Sequence, residues 1–431
     1  MNRIKLLAVM CFTAGLTVLP GTAQSQEAKV EKPQENKPVY KFGGMIDFKV
    51  YTDSYKSRTY RNDLIYFFPL APKYNAAGED LNKVSTLNMS IFSSRLNFSV
   101  SNFKFLNAEA NAYVEGDFLG ANEAGLQMFS MRHIYLNLKW GNNALLLGQT
   151  NHPVYIDEVS PNTIAFAAGL PYYFLNRAPQ IRYTRKINDQ FSVTAAAVVF
   201  SLHNTVGPVN SQTTAMMPDM QVQLKYGANS PLFIGLNAGY KLLKPRQTDA
   251  AGTMIDKTVG SYNVSAFAKA TTKAGYTFKL WGIYGENLTM LLFPGGYGKL
   301  LQDNASGDYD YSNIRTFSSW ADFETPILAN RWRAGIFAAY QKNLGSSKEL
   351  DLTKDASGNF SYGFFRDAEI SWFSKIAPRV EFIADKKLIF ALEYALSHSQ
   401  WSKSYDKKFQ PVDLYPTQHN HRVELMARFV F

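Results

Sequence analysis

Fourteen charged residues recur inside runs where polar and apolar residues alternate. The basic ones are Lys49, Arg95, Lys139, Arg182, Lys225, Arg333, Arg422 and Arg428. The acidic ones are Asp47, Glu109, Glu115, Asp219, Asp322 and Glu424. A period of two places each on one face of a strand, opposite an apolar face. Charges arrayed on a wall make an electrostatic filter and break no bond. Most should neutralise one another as a solvated wall. Arg182 is the strongest candidate for selectivity, because it follows the long segment 153–176. Asp157, Glu158 and Asn162 of that segment are expected to face basic wall residues and leave a field across an opening.

Other chemistries fit poorly. The single cysteine, Cys11, lies in the leader-like start of the chain, and Met10 before it argues against lipid attachment. The remainder has no thiol and no disulfide. Six histidines are scattered at 133, 152, 203, 398, 419 and 421. His419 and His421 could hold a metal but more often such a pair caps a loop, so no metal and no cofactor is expected. No Gly-x-Ser-x-Gly and no phosphate-binding loop is present, and the chain is expected to be non-enzymatic. Basic residues outnumber acidic ones, 45 to 35. They are spread along the chain and not gathered in a run, which disfavours nucleic acid.

The elements that carry these charges are strands. The last eleven residues place His421, Val423, Leu425, Ala427, Phe429 and Phe431 on one face, and Arg422, Glu424 and Arg428 on the other. Similar alternation recurs from Tyr40 onward and gives sixteen strands. Short turns (141–143, 186–190, 227–230, 272–275, 385–387) alternate with long loops (52–86, 153–176, 202–217, 289–313, 343–376, 398–418). A further tight turn is expected near Ser101-Asn102. That asymmetry predicts an all-β transmembrane antiparallel barrel with periplasmic turns and extracellular loops. Aromatic residues support it. Tyr276 and Tyr284 bracket one apolar face, and Trp332 and Tyr340 another. Eight tilted residues span roughly 20 Å, near the height of an apolar band with an aromatic girdle at each edge. Trp140, Tyr226 and Phe431 are expected in the inner girdle. The lumen should be polar and wide enough for water.

Ahead of the barrel, Arg3 and Lys5, the apolar run 6–19 and Gly21-Thr22-Ala23 read as a signal peptide over 1–23. Residues 24–39 read as a flexible periplasmic tail. Closure should pair the terminal strand with Tyr40–Tyr51, leaving no open edge.

Four stretches, Gly116–Gly120, Arg132–Tyr135, Leu146–Thr150 and Arg177–Tyr183, resemble the DcaP-like trimeric porins of Gram-negative outer membranes. They cover about a quarter of the chain. The resemblance implies a trimer of sixteen-stranded barrels with the third loop folded inward, passing small anions such as dicarboxylates. Phosphate-selective and general porins share that architecture. The expected partners are small anionic or polar solutes, the lipid bilayer with its lipopolysaccharide, two further copies of the chain, and the barrel-assembly machinery through the C-terminal strand. Two other readings stay open. One is a surface adhesin or lipoprotein-partner barrel, for which the tyrosine-rich loop 303–311 would suit. The other, less favoured, is a barrel enzyme.

Overall fold

A computed structural model of the chain describes residues 37–166, 169–173, 176–201, 203–249, 251–302 and 309–431. The expected signal peptide, most of the expected tail and most of the loop 303–311 lie outside the described residues.

Sixteen antiparallel strands close into one barrel. They are β1 (Val39–Asp53), β2 (Thr86–Ser90 continued by Arg95–Phe105), β3 (Ala108–Asp117), β4 (Ser130–Trp140), β5 (Asn143–Asn151), β6 (Arg177–Lys186), β7 (Phe191–Val198) and β8 (Asp219–Tyr226). The second half comprises β9 (Leu232–Leu243), β10 (Val259–Thr271), β11 (Thr277–Glu286), β12 (Tyr311–Glu324), β13 (Trp332–Ser346), β14 (Ile370–Asp385), β15 (Leu388–Tyr405) and β16 (Gln418–Val430). Each pairs with its chain neighbour. The seam pairs β1 with β16, from Met45 opposite Val430 to Asp53 opposite Arg422. Closure leaves every spanning backbone group paired, as a bilayer requires.

The longest turn on one rim has seven residues, and the shortest loop on the other has twelve. Several boundaries differ from expectation. The turn anticipated at Ser101-Asn102 is a bulge, with Asn102 at positive φ and the register slipping between Val100 and Phe103. The strand runs on to Phe105, and Leu106-Asn107 make the turn. Strands β12 to β15 reach further toward the loop rim than alternation suggested. In β15 the added length, Ser397 to Tyr405, is largely polar, so the apolar period stops before the hydrogen bonding does; in β14 it carries Ile370, Trp372, Phe373 and Ile376.

The outward face is apolar: Leu236, Leu280 and Leu425 are each more than half exposed. Aromatic pairs mark two levels. On the turn side Tyr276 stacks on Phe323, Trp332 meets Phe382, and Phe42 meets Phe431. Trp140 and Tyr226 end their strands at the same level. On the loop side Tyr284 meets Tyr262, and Tyr340 stacks on Trp372. Amphipathic rings fit the two edges of a bilayer.

The lumen departs from the expected wet tube. Phe233, Phe267, Trp281, Trp320, Phe337, Phe373 and Trp401 point inward and form one hydrophobic cluster with loop residues Phe67, Phe68, Tyr155, Tyr172 and Tyr173. Their parity is that of a lumen face. Alternation reports the side of the sheet, and says nothing of whether that side is wet.

Four hairpin tips in the loops share one design. Asn75 Oδ1 accepts from Ala77 and Glu79 N–H, Asp249 from Ala251 and Thr253, Asp355 from Ser357 and Asn359, and Asp406 from Lys408 and Gln410. Position four has positive φ in each, filled by Gly78, Gly252, Gly358 and Phe409. Such side-chain oxygens replace backbone acceptors in a tight turn.

The seam makes a stability prediction. Gly44 exchanges backbone hydrogen bonds with Phe431 at 3.2 and 3.1 Å. A Cβ there would collide with the Arg95 carbonyl oxygen and the Phe431 ring. Gly44→Val should cost about 1–3 kcal/mol as overpacking. The reading is a lower temperature for the shift from folded to unfolded mobility in semi-native electrophoresis. Unchanged heat modifiability would contradict this account of the seam.

Candidate functional site

The segment between β5 and β6 folds into the barrel and is tied to the wall along its length. At its start His152 Nε2 lies 3.1 Å from Asp219 Oδ2 on β8, both buried. Gln223 of β8 then donates to the Pro153 carbonyl at 2.8 Å. Lys225 pairs with Glu158 at 2.8 Å. Lys279 of β11 donates to Ser160 O at 2.9 Å, and Asn162 donates to Glu324 of β12 at 2.6 Å. At the far wall Glu393 of β15 accepts from the N–H groups of Ile164 (2.7 Å) and Ala165 (3.2 Å). Lys49 of β1 donates to the Ile164 carbonyl and pairs with Glu424 at 2.7 Å. On the return Lys375 donates to Leu170 O and Ser318 to Tyr172 O, both at 3.1 Å. Buried loop carbonyls and N–H groups thus find side-chain partners where no strand can supply them.

Aromatic stacking supplies the rest of the mounting. Tyr155 stacks on Tyr173 with centroids 4.6 Å apart. Tyr173 lies edge-on to Trp281 (4.9 Å) and Trp320 (5.1 Å). Tyr172 packs on Phe373 at 5.1 Å. The loop therefore fills the side of β10–β14 and leaves a space against the opposite wall.

That space is a cavity of about 470 Å³, bounded by Arg95, Glu115, Arg132, His133 and Asn151 on β2–β5, by Asp47, Lys49 and Arg428 at the seam, by Arg333 and Glu381, and by the loop from Tyr155 to Phe166. Pairing decides which charges count. Arg132 is held by Glu115 and Asp117, each at 2.6 Å. Arg428 pairs with Asp47 at 2.9 Å and Arg333 with Glu381 at 2.6 Å. Arg95 has no carboxylate within ion-pair distance among the described residues, and its Nε is shielded from solvent without an acceptor. Arg177 at the start of β6 is alike in its Nε and Nη1. Arg182 donates only to neutral oxygens, Gln180 Oε1 at 2.7 Å and the Asn151 carbonyl at 2.5 Å. On the loop, Asp157 has only an amide contact, 3.4 Å from Asn151 Nδ2. Its side chain is open to the cavity, yet desolvation by the surrounding barrel wall first, and then the charge of Glu158, raise its carboxyl above the ordinary aspartate range.

The expected selectivity residues therefore divide. Arg95, Glu115, Asp157 and Arg333 line the cavity. Arg182 stands beside it on β6. Glu109 and Lys139 face each other near the turn rim, exposed. Arg422 is a correction. It is almost fully buried, bonded to Asp53 at 2.7 Å and Glu424 at 3.2 Å, with its guanidinium over the Tyr51 ring at 4.3 Å. Correct parity put it inward, but a hairpin of the first loop, Ser57–Tyr60 paired with Ile65–Pro69, covers it, and its charge is spent on partners.

Sequence reading also passed over four groups. Arg132 has the parity of lipid-facing Ile134, yet it is the extra residue of a bulge between Met131 and His133 and turns inward beside His133. Arg379 lies at 2.6 Å from Asp322 and 3.2 Å from Glu324, just past the expected loop 343–376. Glu393 lacked any sign that a loop would reach it, and Arg177 sits where loop becomes strand.

No family model and no curated protein matches this chain. Solved structures do match in fold. The outer membrane channel DcaP of Acinetobacter baumannii aligns over 91% of this chain and 97% of its own, with a TM-score of 0.64 and 14% identity. An anion-selective porin from Comamonas acidovorans aligns over 92% and 100%, at 0.57 and 13%. The trimer form of OmpT, an outer membrane protein of Vibrio cholerae, aligns over 91% and 99%, at 0.51 and 12%. The fold is that of the sixteen-stranded outer-membrane porins.

Glu393→Ala removes two hydrogen bonds from the loop tip and leaves the N–H groups of Ile164 and Ala165 without an acceptor, each costing about 1–3 kcal/mol. The loop of this variant should be cut faster by added protease and exchange its amide hydrogens faster, with heat modifiability kept. Cleavage and exchange at wild-type rates would show that the tip is held by something else.

Proposed function

We propose that the chain is an outer-membrane porin: a passive pore for small hydrophilic solutes that favours anions, dicarboxylate- or phosphate-like ones among them. One observation carries the anion preference. Arg95 lines the cavity, Arg182 and Arg177 stand beside it on β6, and none of the three has a carboxylate within ion-pair distance among the described residues; Asp157 is the one lining carboxylate without a cation at that distance. Uncompensated charge at a narrow, low-dielectric passage sets which ions concentrate there. The Comamonas acidovorans protein of the same fold is an anion-selective porin, which is consistent with this reading.

The pore would need no catalytic group, cofactor or metal. Its girdle would consist of Trp140, Tyr226, Tyr276, Trp332 and Phe431 on the inner edge and Tyr284 and Tyr340 on the outer, in contact with lipid and lipopolysaccharide. A homotrimer belongs to the same reading. The outward side of β3 and β4 is low, with Ala108 and Ala110 tucked among Phe103, Leu136, Leu138 and Trp140, and suits a neighbouring barrel. Phe431 at the seam would present the terminal strand to the assembly machinery.

Two measurements of zero-current potential across a salt gradient test the charge argument. Replacing Arg95, Arg177 and Arg182 together by Gln should lower the anion-over-cation permeability ratio severalfold, and a ratio equal to wild type would remove the arginines from the mechanism. The second concerns pH. Because the Asp157 carboxyl is raised, it takes up its proton at a higher pH than a free aspartate as pH falls, while the arginines stay charged. Anion preference should therefore grow on acidification before ordinary carboxylates titrate. Asp157→Asn should give the low-pH value already at neutral pH and lose that early rise. Wild-type pH dependence in the Asp157→Asn channel would assign the response to another group.

A further inference from the structure

On the loop side of the constriction lies a second cavity, of about 370 Å³. Its charged lining is three arginines, Arg61, Arg177 and Arg366, and two carboxylates, Asp117 and Glu123. Both carboxylates are already engaged. Asp117 holds Arg132 at 2.6 Å and also accepts from the Ser130 hydroxyl (2.8 Å) and Leu119 N–H (3.2 Å). Glu123 holds Arg61 at 3.6 Å and its backbone N–H. Arg177 and Arg366 have no carboxylate partner among the described residues. Arg366 donates to the Thr289 carbonyl at 2.6 Å, and Arg177 has two nitrogens closed off from solvent with no acceptor. A guanidinium in that position is costly unless an anion completes its hydrogen bonds.

The rest of the lining is mixed, with Tyr60, Asn122, Ser130 and His203 as polar members and a larger apolar part. Leu119, Phe166, Leu170 and Leu292 contribute side chains from separate loop segments. A concave apolar site with a few convergent polar groups is the usual form of a small-molecule site. Its volume suits a body of one ring or a short acyl chain.

We propose that this vestibule is a binding site for an amphipathic monocarboxylate, an aryl- or short alkyl-carboxylate, with the carboxylate on Arg177 and Arg366 and the apolar body against Leu119, Phe166 and Leu292. A dicarboxylate fits less well, since its second charge would lie unpaired on the leucines and the phenylalanine. Acetate and phosphate would use the arginines and leave the apolar wall uncovered. This rests on the pore reading only in calling the cavity a vestibule. Binding itself is a separate property of the folded barrel, so the two fail separately.

The experiment uses the full-length barrel in detergent, its fold checked by heat modifiability. Phenylacetate, succinate, acetate and phosphate are compared by saturation-transfer NMR and calorimetry. Phenylacetate should bind at least about tenfold more tightly than the other three, with saturation transferred to its ring protons. Arg177→Gln should weaken all anions, and Leu292→Asn should weaken phenylacetate alone. Phenylacetate added on the loop side of a conducting bilayer should also interrupt the current at lower concentration than succinate. Equal affinity for all four anions, or phenylacetate binding untouched by both substitutions, would overturn the site. A barrel that binds phenylacetate in this pattern but never conducts would support the site and remove the pore reading instead.

Discussion

The interaction on which the constriction depends is the stack of Tyr155 and Tyr173 against Trp281 and Trp320. A sixteen-stranded barrel left to itself encloses a wide aqueous channel. Here a lumen wall of aromatic side chains must be covered, and an inward loop carries the tyrosines that cover it. Burying each such side chain is worth about 1.5–3 kcal/mol. Direction follows from this: because the aromatic wall is that of β10–β14, the space that remains is mainly against β2–β5 and the seam, with Arg333 and Glu381 at its edge. Polar ties along the loop then fix its height. They hold carbonyls and N–H groups that the turn of the chain would otherwise leave buried and unpaired.

The barrel meets two solvents with two kinds of wall. Outside, apolar side chains and paired rings face lipid at two levels. Inside, the wall is divided into an apolar half that acts as a mount and a charged half that acts as a boundary. The charged half is mostly self-neutralised, by Arg132 with Glu115 and Asp117, Arg428 with Asp47, and Arg333 with Glu381. Such pairs set shape more than field. The few groups outside the pairing are Arg95, Arg177 and Arg182 against Asp157, and on the proposed reading they give the opening its sign.

How far this could be read from residues alone follows from the physics of a pleated sheet. Period-two alternation reveals the strands, the side each residue takes, and the unequal rims. It therefore placed Arg95, Glu115 and Arg333 on the inner face without any structure. It fails at bulges, and Arg132 is the instance: one extra residue reverses the side that alternation assigns. Nor does alternation contain pairing or cover. Arg422 and Arg95 have the same signature in sequence, yet one is enclosed by two carboxylates and a tyrosine ring, and the other is left without a partner. The aromatic half of the lumen had a signal that was open to reading. Trp281, Trp320 and Phe337 share an inward parity on three successive strands, and the loop carries adjacent tyrosines at 172 and 173. What links them is long-range packing, which no local period reports.

The four hairpin tips have a consequence at the surface of the cell. In each, the turn is determined by one side-chain oxygen and one residue at positive φ. In three of them the pair between, Ala76-Ala77, Ala356-Ser357 and Lys407-Lys408, uses only its backbone in the turn. Those positions are exposed. They are free to change identity while the loop keeps its shape. The shape of each such tip is thus set by two positions, and the residues between them can vary without disturbing the barrel beneath.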